Sequence, residues 1–204
     1  MFKKITLTVL ACLAFSSSAS NTLRFTNSTT SIPNLNNAAT SPESPSDNQH
    51  PTCTSEQPIV TIEELRNMIS TGEDVTNVCT SNITNMDSLF NSQTTFNQDI
   101  SNWDVSQVTS MAWMFYHADS FNQDLSKWDT SNVQSMHSMF RHAYKFNQNI
   151  GGWNVSNVST MEYMFYKAYD FSQDLSHWEV SNVTGTRHFY TETGMTNEQL
   201  PAFN

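Results

Sequence analysis

Apolar residues recur along the C-terminal part of the chain in fixed columns. At an offset of 25 residues, Phe96 falls on Phe121, Phe146 and Phe171, and Trp103 falls on Trp128, Trp153 and Trp178. The same offset aligns Val108, Val133, Val158 and Val183, then Met111 with Met136 and Met161, Met114 with Met139 and Met164, and Phe115 with Phe140 and Phe165. A period of this order marks a stacked array, in which each unit buries its apolar face against its neighbours. One period earlier Ile83, Met86, Leu89 and Phe90 hold the same slots, with Val78 in place of tryptophan; one period later Thr186, Phe189 and Tyr190 hold the Met, Met and Phe slots. Degenerate first and last units suit an array whose ends face water.

Within one unit the apolar spacing changes midway. The step of two from Trp103 to Val105 predicts a short strand, and Met111, Met114, Phe115 and Ala118 follow the i, i+3, i+4, i+7 stripe of a helix. Thr109 precedes that stripe as an N-cap, with Thr84, Ser159 and Thr184 in register and Gln134 departing from the pattern. The expected fold class is therefore α/β: a solenoid of 25-residue strand–helix coils, the architecture that the leucine-rich-repeat resemblance described below also implies. Return loops read Phe96-Asn-Gln-Asp-Ile100, Phe121-Asn-Gln-Asp-Leu125, Phe146-Asn-Gln-Asn-Ile150 and Phe171-Ser-Gln-Asp-Leu175. Their Asn and Asp side chains are read as satisfying backbone groups of their own or the next coil, not as a metal ladder. Ahead of the repeats, Thr61 and Glu64 stand at capping-box spacing before Leu65, Met68 and Ile69, which predicts an N-terminal capping helix.

The N-terminus divides differently. Lys3 and Lys4 precede an apolar run from Ile5 to Phe15 that is too short to span a bilayer, and Ser16 to Ser20 are small. That is the pattern of an export signal. Lipid attachment at Cys12, in Val9-Leu-Ala-Cys12, is an alternative reading. Residues 21–58 are rich in Ser, Thr, Asn and Pro and poor in large apolar groups, as a flexible tether is. The expected organisation is a signal over 1–20, a tether over 21–58, a cap over 59–78, repeats over 79–190 and a tail over 191–204.

Charge and cysteines narrow the function classes. The chain carries a net charge of −10, and loss of Lys3 and Lys4 with the signal takes it to about −12, a surface that repels nucleic acid and anionic lipid. With Cys12 removed, Cys53 and Cys79 remain, and an even pair in an exported protein is most simply a disulfide. No nucleophile–base pair, metal constellation or phosphate-cradling glycine loop is apparent, so no catalytic residue, metal or cofactor is expected. His117 and His142 share a register, but Lys167 replaces histidine in the next copy and no further ligands accompany the pair. The Trp, Met and Phe columns are assigned to packing.

The run Trp103-Asp-Val-Ser-Gln-Val-Thr-Ser-Met-Ala-Trp-Met-Phe115, with copies at Trp128-Asp-Thr-Ser-Asn-Val133 and Trp153-Asn-Val-Ser-Asn-Val-Ser-Thr-Met161, resembles the repeat of the BspA-type leucine-rich-repeat surface proteins. That family is formerly a domain of unknown function first noted in mycoplasma surface proteins. The resemblance covers roughly residues 79–190 and implies a bacterial cell-surface or secreted protein acting in adhesion and in protein or glycan interaction. It supplies no enzymatic residues, and Val108 stands where a leucine-rich repeat usually has Asn or Cys.

Two faces could bind a partner. If Trp103-x-Val105 and its copies are strands, Asp104, Asp129, Asn154 and Glu179 form an outward row beside Ser106, Ser131, Ser156 and Ser181, which suits a basic or polyhydroxylated protein or glycan surface. Alternatively, Trp113, Tyr116, Tyr144, Tyr163, Tyr166 and Tyr169, on helix positions outside the apolar stripe, make a glycan-binding adhesin. Limited proteolysis should trim residues 21–58 and leave one resistant core. Early cleavage between Phe121 and Trp153 would contradict a continuous stack.

Overall fold

The computed structural model describes residues 51–203; the expected signal, Cys12 and residues 21–50 of the expected tether lie outside them. Chain entry is pinned by the Cys53–Cys79 disulfide and by a parallel bridge of Ile59 with Cys79. The loop it closes, with a sequence separation of 26, restricts the unfolded chain by about 3 kcal/mol. Helix α1 then spans Ile62–Thr71. Thr61 accepts from the Glu64 N–H while the Glu64 carboxylate accepts from the Thr61 N–H, a capping box, and that bond holds the Glu64 carboxyl below its ordinary range. Gly72 ends the helix at φ 75°, donating its N–H to Ile69 and Met68. Leu65 and Ile69 face the core, and Arg66 donates to the Asp87 carbonyl, which lays α1 over the first repeat.

The repeats themselves correct the α/β expectation. Among the described residues the other helix is one 3-10 turn at Asn197–Gln199, and no strand forms. The strand–helix solenoid expected from the leucine-rich-repeat resemblance is not present. Each repeat is instead a rung of consecutive turns. Met114, Tyr116 and Ala118 donate their N–H groups to Met111, Trp113 and Phe115, three residues back. The N–H groups between them leave the rung: Met111, Trp113, Phe115 and His117 donate to the carbonyls of Ser135, His137, Met139 and Arg141 in the next one at 2.8–3.0 Å. The same four bonds join the rung of Met86 to that of Ser110, the rung of Met136 to that of Thr160, and the rung of Met161 to that of Gly185.

This pairing requires two left-handed residues per rung. Ser88 and Ser92, Trp113 and His117, Ser138 and His142, Tyr163 and Lys167, and His188 and Glu192 all have φ between 51° and 61°. Each costs about 1–2 kcal/mol for a side chain other than glycine, and each rung-to-rung bond returns about 1 kcal/mol net, so two costs are set against four bonds. A helix is excluded because these residues break it and because its i−4 acceptors are never used. Thr109 is accordingly no N-cap: its N–H and hydroxyl both reach the Thr84 carbonyl, as Ser159 and Thr184 do to Gln134 and Ser159. Residues Trp103–Val105 form no strand either, since Trp103 and Val108 close turns on Ile100 and Val105. Parallel pairing is confined to isolated bridges along Asn85, Ser110, Ser135, Thr160 and Gly185.

The inward pattern, by contrast, matches the apolar columns. Ile100, Trp103, Val105, Val108, Met111, Met114, Phe115, Ala118 and Phe121 are all 1 % exposed or less. Phe115, Phe140 and Phe165 stack face to face at 5.3 and 5.6 Å, Phe121, Phe146 and Phe171 at 6.0 and 5.8 Å, and Trp128, Trp153 and Trp178 at 6.4 and 6.5 Å. The indoles do more than fill space. Nε1 of Trp103, Trp128, Trp153 and Trp178 donates to Val75, Ile100, Leu125 and Ile150 respectively, a carbonyl of the preceding repeat. The return loops act as expected of amide and carboxylate side chains: Asn97, Asn122 and Asn147 accept from the N–H of the residue one period on, and Asp99, Asp124, Asn149 and Asp174 accept from their own i+2 N–H.

The segment expected as a tail keeps the register. Asn197, Leu200 and Phe203 stand one period beyond Ser172, Leu175 and Trp178. Leu175 donates to Gln199 at 2.9 Å, Gly194 to Phe171 at 2.9 Å, and the Phe203 ring meets Phe189 edge-on at 5.0 Å. Half of a further rung therefore lies on the last full one. The dual role of the indoles is testable by thermal or urea unfolding: Trp128→Ala should lose about 3–5 kcal/mol. Trp128→Phe, which keeps the stack and leaves the Ile100 carbonyl with the Trp103 N–H as its remaining donor, should lose about 0.5–1.5 kcal/mol. A neutral Trp128→Phe would remove the hydrogen bond from the account.

Candidate functional site

The turn ladder throws a set of side chains outward at the left-handed corners and beside them. A positive φ at the third position of a turn normally belongs to Gly or Asn, yet the sites here carry Ser, Trp, His, Tyr, Lys and Glu. Ser138 is buried, but Trp113, His117, His142, Tyr163 and Lys167 are half-exposed. They form one continuous face. The Trp113 ring lies 5.3 Å from Tyr116 and 4.9 Å from His137; Tyr163 lies 6.2 Å from His137 and 5.1 Å from His188. His117 and His142 stack at 4.2 Å with 11° between planes, and Tyr144 and Tyr169 stack at 5.2 Å.

At the centre sits Arg141. Its guanidinium carbon is 5.6 Å from the Tyr116 ring centre, 5.0 Å from Tyr163 and 5.2 Å from Tyr166, cation–π contacts with rings on the rungs before and after its own. Lys145 forms an ion pair with Asp170 at 3.0 Å and Lys167 with Glu192 at 3.8 Å, and the His137 and His117 rings lie beside the Glu162 and Asp119 carboxylates at 3.8 and 3.5 Å. All are half-exposed or more and each contributes at most about 1 kcal/mol. Sequence reading named the tyrosines and placed them on helices. It did not find Arg141, although the Tyr116, Arg141 and Tyr166 column held the signal.

The acidic row is also aligned by the repeat, on turns. Asp104 accepts from the Ser106 N–H at 3.0 Å and hydroxyl at 2.7 Å, Asp129 from the Ser131 N–H at 3.0 Å, and Asn154 from the Ser156 N–H at 3.1 Å and hydroxyl at 2.7 Å. Glu179 and Ser181 are exposed and outside this pattern. Neighbouring rungs cross-link the row: Thr80 and Thr130 hydroxyls donate to the Asp104 and Asn154 carbonyls, and Asn132, Asn157 and Asn182 amides to the Ser106, Ser131 and Ser156 carbonyls. One oxygen of each Asx side chain is thus committed to the fold. Among the described residues, no group of three or more His, Cys, Asp or Glu side chains is arranged to hold a metal, and no helix is long and apolar enough to cross a membrane.

A family model described as "Mycoplasma protein of unknown function, DUF285" matches residues 62–158 and again 126–204, and this chain belongs to that family. It is a repeat protein of a family without assigned function; the finer BspA-type, leucine-rich-repeat assignment is not supported by the match. No curated protein and no solved structure matches the chain.

Burial, then the charges of His117, Arg141 and Lys167, hold the His142 imidazole below its ordinary value of 6.5. The unfolded chain therefore binds this proton more readily than the folded one, and His142 opposes folding as pH falls through 6.5. The contribution is fully restored above that value and saturates once the folded imidazole is protonated too. Tm should drop between pH 7 and pH 5, and His142→Gln should flatten that drop. An equal drop in the variant would assign the acid sensitivity elsewhere.

Proposed function

We propose that this chain is an exported or cell-surface, non-enzymatic repeat protein whose turn ladder presents the Trp113–Tyr163–Arg141 face to a protein or glycan partner in adhesion. The observation that supports it is the choice of residue at the left-handed corners. Glycine there would remove strain, and the chain instead carries half-exposed Trp113, Tyr163, His117 and Lys167. Packing columns repeat from rung to rung; the corner column varies, from half-exposed Trp113 and Tyr163 to buried Ser138 and exposed His188. Constant scaffold beneath variable side chains is how repeat proteins serve recognition.

Export is proposed from the Lys3–Ser20 pattern and agrees with a disulfide at Cys53–Cys79. Retention on the cell through a lipid at Cys12 is the alternative anchor. The net charge of −10 speaks against nucleic acid as the partner. Binding, and not catalysis, is the role proposed for a face made of aromatic, histidine and arginine side chains.

Screening the mature chain against glycan arrays and against host and envelope proteins tests the reading. For any hit, Trp113→Ala and Tyr163→Ala should each weaken affinity at least tenfold, the scale of an aromatic anchor. Asp104→Asn with Asp129→Asn should change it less than threefold. Asn154 shows that asparagine keeps the turn, so the double variant removes charge without unfolding. If the double variant abolishes binding and the aromatic variants do not, the acidic row is the binding face.

A further inference from the structure

Arg141 stands apart from the other cations of its face. Lys145 and Lys167 each have a carboxylate partner, whereas the Arg141 guanidinium has no hydrogen bond or ion pair among the described residues, and its Nε is buried without an acceptor. A buried N–H without an acceptor is costly to keep, and although the net charge of −10 repels anions at long range, a guanidinium fork acts on a carboxylate at contact. Three tyrosine rings at 5.0–5.6 Å hold the group in place. Immobilised in advance, a planar fork loses little entropy when it takes a planar anion, and a carboxylate accepts it through two parallel bonds.

We propose that Arg141, framed by Tyr116, Tyr163 and Tyr166, anchors the carboxylate of a uronic-acid-type sugar in an acidic glycan. This rests on the reading of the face as a binding surface and specifies its ligand. A peptide carboxylate would offer the same charge, but peptides add affinity by pairing their backbone with a free edge. Here the rung N–H and C=O groups flanking Arg141 are spent between rungs: His117 donates to Arg141 and His142 to Tyr166. What the face offers beside the guanidinium is half-exposed rings: the Trp113 indole, the Tyr163 ring and the stacked His117–His142 pair. Sugar rings present C–H faces and hydroxyls that match such a surface.

The test uses the full mature chain with tetragalacturonate, its methyl ester and tetraglutamate, read by calorimetry and by the NMR signal of the Arg141 Nε–H. Tetragalacturonate should bind, shift that signal and weaken with added salt. Esterification should cost at least tenfold, as should Arg141→Gln, and Arg141→Lys, which keeps charge but not the fork, should recover only part of the loss. Should Arg141→Gln unfold, the ester comparison and the Nε–H shift still decide the matter in the unaltered chain. Equal binding of acid and ester, an unmoved Nε–H signal, or tighter binding of tetraglutamate overturns the proposal. If none of the saccharides binds while a screened partner still requires Trp113 and Tyr163, the acidic-sugar assignment alone fails.

Discussion

The hydrogen bond from a rung N–H to the carbonyl 24 residues ahead governs this structure. Four such bonds at every step and the i−3 turns between them together occupy most of the rung's N–H groups. Both patterns together admit only a backbone that reverses hand at two positions per rung. The ten positive-φ residues, the absence of regular elements among the described repeats and the outward display of Trp113 and Tyr163 are consequences of that single arrangement.

The side-chain columns reinforce the ladder because they share its period. Stacked Phe115, Phe140 and Phe165 supply apolar burial, and each indole adds a directional tie to the repeat before it. Asn97, Asn122 and Asn147 do the same for the opposite side of the rung, where no turn ladder runs. Since every tie joins neighbours, stability is a sum of rungs and interfaces. The ends then need covers. Helix α1, with Arg66 on the Asp87 carbonyl and the Cys53–Cys79 bridge behind it, covers one; the half-rung through Leu200 and Phe203 lies on the other.

Function, on the reading proposed above, belongs to the positions at which the ladder is strained. The left-handed corners at Trp113, His117, His142, Tyr163 and Lys167 leave their side chains half-exposed, whereas Ser138 at the same kind of corner is buried. The acidic row differs in kind: Asp104, Asp129 and Asn154 each spend an oxygen on a local turn, and their neighbours tie the rungs together. The chemistry of a surface and the mechanics of a joint are combined there, whereas the Arg141 Nε is buried without an acceptor among the described residues.

Much of this was legible in the sequence. The 25-residue period, the buried columns, the capping box at Thr61 and Glu64, and the structural use of the loop asparagines all follow from residue type and spacing, because burial and short-range hydrogen bonding are local properties. Backbone conformation was not legible. Met111, Met114, Phe115 and Ala118 point inward on a helix and equally on successive turns, so the apolar stripe cannot tell them apart. Only the acceptors decide, and they lie one rung away. Leu200 and Phe203 hid for a similar reason: their slots are recognisable only once the preceding rung shows what they cover. The frame around Arg141 joins tyrosines from the rungs before and after its own, and proximity of that kind is set by stacking, to which no single stretch of sequence has access.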